Sequence, residues 1–456
     1  MNPSIEGQKR DLVESTLRNL VITPVPEAML INDQVQQWLK KYEIVFAMDW
    51  LRTGEARGFK QSGVTSLIEL TSILRRDEPA YRRGTRPERL AVIIALAIVS
   101  IFQDRLASIP ALNDVVTVEQ EVRRVFMNKT VACTHCIPCR IIPEHASSFS
   151  IGPVEFYSKD DLIKRESFSA GDLLEMSYGP LLKFMQNQSA YWVADVTVEG
   201  FDELSGLERA NIAIDLALTA VQIAIPSYYS RSMARLTDRT LPSTIGSVKK
   251  VGGNARFGSQ RRDPGLGFSA GAFDQYLSRS APMLVSIGNR VRAYITDNAV
   301  LPKLDQSWSD AAYWLHEGLT EPLDTVAVTK LETSIEVLLS AASSKNSGSR
   351  LEAAFSSFYG LSPECPYPSG SNRKVKDVVK AIVESRSRIL HGTLSTLTAD
   401  SLATDNHGGR RVLEFLCMDL LAAYSLKLDA YASIVAPKDN IKDFLDFVSA
   451  ERAPPT

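Results

Sequence analysis

Apolar residues recur at three- and four-residue steps through much of residues 1–130. Leu39, Tyr42, Val45, Phe46 and Trp50 take this spacing, and so do Val122, Val125 and Phe126, which leaves Arg123 and Arg124 facing outward. That is the signature of helices with one buried face. Residues 1–130 are therefore expected to form a helical N-terminal domain, a scaffold or partner-binding part without a polar constellation of its own. From 131 the pattern changes. The stretches 149–157 and 191–199 are rich in β-branched and aromatic residues, and Trp192, Ala194, Val196 and Val198 alternate with Asp195, Thr197 and Glu199 as in a half-buried strand. Helical patterns follow at 171–187 and 207–225, so 131–310 reads as a mixed α+β domain. After Trp308 helical spacing returns in segments 309–317, 323–342, 348–359, 374–391 and 409–433, parted by turn-rich breaks such as 362–370. This predicts a helical bundle over 311–435, then a C-terminal helix and tail at 436–456. The fold class expected is mainly α with a mixed α+β middle domain.

Length supports this division, because 456 residues exceed one ordinary core. The net charge of -2 gives no global signature of nucleic-acid binding, so any such role must rest on a local patch. The start of the chain is polar and lacks the apolar centre of a secretory signal. The longest apolar run, Leu90 to Phe102, is shorter than the roughly 20 residues that span a bilayer and is flanked by Arg89 and Asp104. It reads as a buried helix. With five cysteines and no disulfide framework, the expected setting is a reducing cytoplasm without membrane association.

Two local clusters suggest chemistry. Cys133, Cys136 and Cys139 stand at two-residue gaps with His145 beyond, enough ligands for a structural zinc ion. The alternatives are reduced cysteines packed as small hydrophobes in a strand and its turn, or redox chemistry. Further on, Lys249, Lys250, Arg256, Arg261 and Arg262 outnumber the one acid Asp263, with Gly252, Gly253 and Gly258 between them. The stretch reads as a mobile basic loop that either follows an RNA backbone, with Phe257 stacking on a base, or simply faces water. Ser259 and Gln260 stand where a phosphate-binding loop needs lysine and a hydroxyl residue, so it is not one.

The most informative stretch is 384–392. Val378, Val379, Ile382, Ile389 and Leu390 form an inward stripe, and Arg386 lies four residues after Ile382. A guanidinium at the edge of an apolar face needs an acid or an anion beside it. His391 lies five positions on, about 140° around an ideal helix from Arg386. One site from both then needs the last turn to unwind before Gly392, or two copies of the helix. His391 instead shares a face with Glu384, Ser387 and Arg388, a pattern equally that of a solvated helix end capped by histidine.

Arg386-Ser-Arg-Ile-Leu-His391-Gly392 resembles the arginine–polar–x–x–x–histidine signature of HEPN domains, most closely the ApeA-like branch. Residues 312–319 and 329–339 are similar to that family's opening helices, including an inward acid at Glu332 or Glu336, and 349–355 resembles the helix that follows. The likeness covers about 311–435 and, more loosely, 191–218. It implies a helical bundle, paired as a homodimer through the HEPN domain, that cleaves RNA without a catalytic metal, as in prokaryotic antiviral or toxin-like defence. Arg386 would then stabilise charge on the phosphate, His391 would transfer protons, Ser387 would orient them and Arg388 would contact RNA, giving 2′,3′-cyclic phosphate ends. Some members of the family are non-catalytic and bind RNA, a nucleotide or a protein partner, which is the alternative expectation.

Overall fold

The computed structural model describes residues 4–24, 39–47, 55–102, 109–142, 146–166, 173–236, 244–251, 254–261, 264, 268–341, 344–367, 372–391 and 409–452. The protein is mainly α, 67% helix, with a small sheet-containing middle region. It divides into two compact units, one of residues 1–133 and 198–208, the other of 134–197 and 209–456. The division expected near 130 is close to the first limit. The one expected at 310/311 instead falls inside a single helix, Pro302–Thr320.

In the first unit, helices α1 (Ile5–Arg18), α2 (Gln61–Asp77), α3 (Pro79–Gly84), α4 (Pro87–Phe102) and α5 (Leu112–Lys129) share one core. The Ser4 hydroxyl starts α1 by accepting the Gly7 N–H at 3.2 Å. α4 is the long apolar run; Leu90, Ile94, Ile98 and Phe102 are fully buried, each contributing about 1.5–3 kcal/mol of transfer free energy. No helix among the described residues is long and apolar enough to cross a membrane. On α5, Val122 and Phe126 face the core while Arg123 and Arg124 point outward, as their spacing predicts.

The expectation of an all-helical N-terminal part is corrected in one place. Strands β1 (Leu20–Pro24), β2 (Phe46–Ala47) and β3 (Glu55–Phe59) form an antiparallel sheet in the order β1-β3-β2. The stretch read as one helical face from Leu39 breaks after Lys41, and Val45 N–H bonds Phe59 O at 3.0 Å. The run Ile44-Val45-Phe46 is β-branched and aromatic and fits a pleated, half-buried surface better than a helix. Trp50 lies outside the described residues. Residues 198–208 join this unit through Asp202, whose carboxylate accepts from the Thr85 hydroxyl and the Ser205 N–H.

In the second unit, strands β4 (Cys133–Arg140), β5 (Phe149–Ile151), β6 (Val154–Ser158), β7 (Trp192–Val198) and β8 (Ala234–Arg235) make a sheet in the order β5-β6-β7-β4-β8. The alternation read at 191–199 is real: Trp192, Ala194, Val196 and Val198 are buried. Helices α6 (Lys159–Glu166) and α7 (Leu173–Asn187) follow the strands, as does α8 (Glu203–Ala224), which belongs to this unit from Arg209 onward. The bundle comprises α9 (Ala281–Thr296), α10 (Pro302–Thr320), α11 (Asp324–Leu338), α12 (Ser344–Ala354), α13 (Val375–Leu390), α14 (Arg410–Ala432) and α15 (Ile441–Arg452). At its centre Trp308 and Tyr424 are fully buried, their polar ends bonded to Leu421 O at 3.1 Å and Leu304 O at 3.4 Å. Sheet and bundle meet at two glycines. Gly152 has φ +59°, and a Cβ there would lie 2.2 Å from Gly288 O, so the β5–β6 turn touches α9 only because both residues lack side chains.

Candidate functional site

Helix α13 carries the arginine–histidine stretch. Asp377 accepts the Lys374 N–H at 3.4 Å at its start, and Val375, Val378, Val379, Ile382 and Ile389 form the buried stripe. Leu390, expected inward, is 59% exposed at the last position of the helix, although Ile389 beside it is buried. Arg386 lies at the edge of this stripe, half-buried, with Nη1 2.5 Å from Oε2 of Glu336 on the neighbouring α11. Its Nε is buried without a hydrogen-bond partner among the described residues.

One turn before Glu336, Glu332 is 1% exposed, and neither carboxylate oxygen has a hydrogen-bond partner among the described residues. Burial pushes its acid up to about 8; the negative charge of Glu336 adds to the rise and Arg386 opposes it. Near neutral pH Glu332 is therefore a carboxylic acid beside the Arg386–Glu336 ion pair. Both acids named as alternatives in the sequence face inward, and it is Glu336 that pairs with Arg386.

His391 caps α13, donating its N–H to Ser387 O at 3.0 Å with φ -88° and ψ 6°. The helix stays regular through Leu390, so the unwinding that could swing the imidazole round does not occur at this end. The His391 side chain is exposed, whereas Arg386 turns into its own bundle. The two are not brought together within one chain. Ser387 is half-buried, Arg388 is exposed, Glu384 lies 3.7 Å from Lys380, and Gly392 is outside the described residues.

The basic stretch is not a loop. Strands β9 (Thr244–Val251) and β10 (Asn254–Arg261) form an antiparallel hairpin that pairs Lys249 with Arg256, Lys250 with Ala255 and Val248 with Phe257. Phe257 lies across Gly246, where a Cβ would meet its ring at 2.9 Å. Every side chain over 246–251 and 254–259 is exposed, Phe257 by 73%. The cross-strand pair of like charges, Lys249 opposite Arg256, is unfavourable by itself and relieved by an anion. The signal lay in the sequence: two strand-like runs separated by Gly252-Gly253, the composition of a two-residue hairpin turn. Of the other two arginines singled out, Arg262 and the side chain of Arg261 are outside the described residues.

Among the described residues the three cysteines lie along one strand and form no metal-holding group. β4 is a strand, so Cys136 points to the face opposite Cys133 and Cys139, and Cys133 and Cys139 stand about 20 Å apart at strand rise. Cys136 lies 3.9 Å from the Tyr178 hydroxyl, and burial beside Asp195 pushes its thiol up to about 12; Cys139 is buried on the other face near Asp215. His145 is outside the described residues. The set fits packed thiols in a strand better than a shared ion.

Sequence reasoning missed a buried ion network in the bundle. Glu414 is fully buried, bonded by Arg410 Nε at 2.8 Å and by Arg231 Nη2 at 2.5 Å. Arg410 also donates to Leu319 O at 2.8 Å and Glu321 O at 2.7 Å, carbonyls at the C-terminal end of α10. The available signal was Arg410 and Glu414 at four-residue spacing in an otherwise apolar helix. Compared with family models, curated proteins and solved structures, the chain matches none.

Proposed function

We propose that this chain is a cytoplasmic, metal-independent endoribonuclease of HEPN type, with prokaryotic antiviral or toxin-like defence as its setting. The observation that carries the reading is Arg386 held in a fixed position by Glu336, five residues before an exposed histidine at the end of the same helix. A fixed cation stabilises charge as it develops on a phosphate, and an accessible imidazole takes or gives a proton near neutral pH.

In this reading His391 takes the proton from a 2′-hydroxyl, whose oxygen attacks the adjacent phosphorus. The bond to the 5′-oxygen breaks, and that oxygen leaves with a proton from a second donor. The products are a 2′,3′-cyclic phosphate and a 5′-hydroxyl, with no oxidant, cofactor or catalytic metal consumed. Because Arg386 and His391 diverge on one helix, the site is completed by a homodimer in which the two copies of α13 approach each other. Ser387 orients the pair. Lys249, Lys250, Arg256 and Phe257 of the hairpin, with Arg388, hold the RNA strand by charge and stacking.

A second reading has a specific observation in its favour. Arg386 is already paired with an acid of its own bundle, as a structural arginine would be, which suits a non-catalytic module binding RNA, a nucleotide or a protein. One assay separates them: incubation with a mixed RNA pool in EDTA, with and without the candidate activating phage or cell extract. Cleavage by the wild type that is lost in His391→Ala supports the enzyme. RNA binding without cleavage under every condition overturns it.

A further inference from the structure

The first unit carries a feature that the ribonuclease reading does not use. Between α2 and α4, with α3 closing one end, lies a cavity of about 650 Å³, within the ~300–1,000 Å³ typical of small-molecule sites. Its apolar wall is Ile68, Pro87 and Ala91. Ile68 is 58% exposed, while Leu67, Leu70, Ile73 and Leu74 of the same helix are buried. Arg75 and Arg82 line the same cavity, together with Glu88 from the first turn of α4.

The two arginines lack acidic partners among the described residues. Arg75 donates Nη2 to Arg82 O at 3.0 Å, which fixes its guanidinium, yet its Nε is buried and unbonded. The adjacent Arg76, which also lines the cavity, is turned to Asp77 at 3.2 Å. A guanidinium positioned by a carbonyl, with a buried donor unused, is prepared for an anion. Only Arg75 is positioned in this way and Arg82 beside it is exposed, but two guanidiniums lining one cavity favour a dianion over a single carboxylate. Glu88 repels an anion near itself but accepts hydrogen bonds from hydroxyl groups.

From this arrangement we infer that the cavity binds a nucleoside monophosphate or a closely similar ring-bearing phosphate ester. The phosphate pairs with Arg75 and Arg82, sugar hydroxyls donate to Glu88, and the flat ring covers Ile68, Pro87 and Ala91. The inference is independent of Arg386 and His391, so failure of either leaves the other standing.

Isothermal titration of the full chain with AMP tests it, with inorganic phosphate, adenosine and hexanoate as separate arms. Saturable binding of one AMP per chain is expected, with phosphate alone and adenosine alone each weaker by about tenfold or more. Arg82→Glu and Ile68→Glu, both at exposed positions, should each weaken AMP by about tenfold or more without lowering the melting temperature. Absence of saturable binding for AMP, GMP, CMP and UMP up to about 10 mM overturns the proposal. So does AMP affinity unchanged in both variants, or hexanoate binding more tightly than any nucleotide.

Discussion

Arg386 has Glu336 on one nitrogen, and Glu332, one turn before Glu336 on α11, is a neutral acid beside them. Glu332 titrates near 4.5 in an unfolded chain and near 8 in place, so between these values the folded state holds a proton the unfolded state has released. Stability is therefore highest below the unfolded value and falls as pH rises from about 4.5 to about 8. Glu332→Gln should remove this part of the slope. Urea denaturation at a series of pH values measures it, and an unchanged slope in the variant would show that Glu332 is ionised in the folded protein. For Arg386 the fork matters as well as the charge. Arg386→Lys keeps the cation but loses the second donor direction, and on the nuclease account it should lower the cleavage rate by about 10²-fold. Single-turnover kinetics would read this, and a rate equal to the wild type's would assign Arg386 a purely structural role.

At the scale of elements, α14 and the hairpin each carry a test. Removing Glu414 leaves Arg410 with Asp324 as its remaining acid and Arg231, which is 39% exposed, partly solvated, so Glu414→Ala should destabilise the second unit by about 1–3 kcal/mol in urea unfolding. A loss below about 1 kcal/mol would mean that solvent screens this network. In the hairpin, the double change Lys249→Ala and Arg256→Ala should reduce the slope of log affinity for single-stranded RNA against log salt by about 1.4, or about 0.7 per phosphate contact. An unchanged slope would place the RNA elsewhere. The helices of the bundle were legible because their apolar stripes run three or more turns; the stripe of α13 was correct at Val378, Val379, Ile382 and Ile389. It failed at Leu390, the last residue of the helix, where Ile389 alone of the two terminal apolar residues is buried. The hairpin was misread because glycines and charges dominate its composition and hid the two strand-like runs on either side of Gly252-Gly253. The stretch from Leu39 failed for the converse reason: its three- and four-residue spacing also fits a turn leading into a short strand, and pairing with Phe59 decided the matter.

For the whole molecule, the sequence suggested a middle domain separate from the bundle, but α10 runs through the expected boundary and both parts lie in one compact unit. Contact between distant segments, such as Gly152 against Gly288, joins them and leaves no trace in composition. Candidate residues were legible as types, while their grouping was not. The thiols were separated by strand geometry, and Arg386 and His391 by the regularity of α13. Catalysis in this account therefore depends on two copies of α13, and the most direct test is the chemistry of the cut. End-group analysis of RNA incubated with the protein in EDTA should find 2′,3′-cyclic phosphate and 5′-hydroxyl termini, absent with His391→Ala and restored when His391→Ala is mixed with Arg386→Ala to form dimers with one intact composite site. Cleavage that requires a divalent metal and leaves 3′-hydroxyl and 5′-phosphate ends, or that persists in His391→Ala, would contradict it.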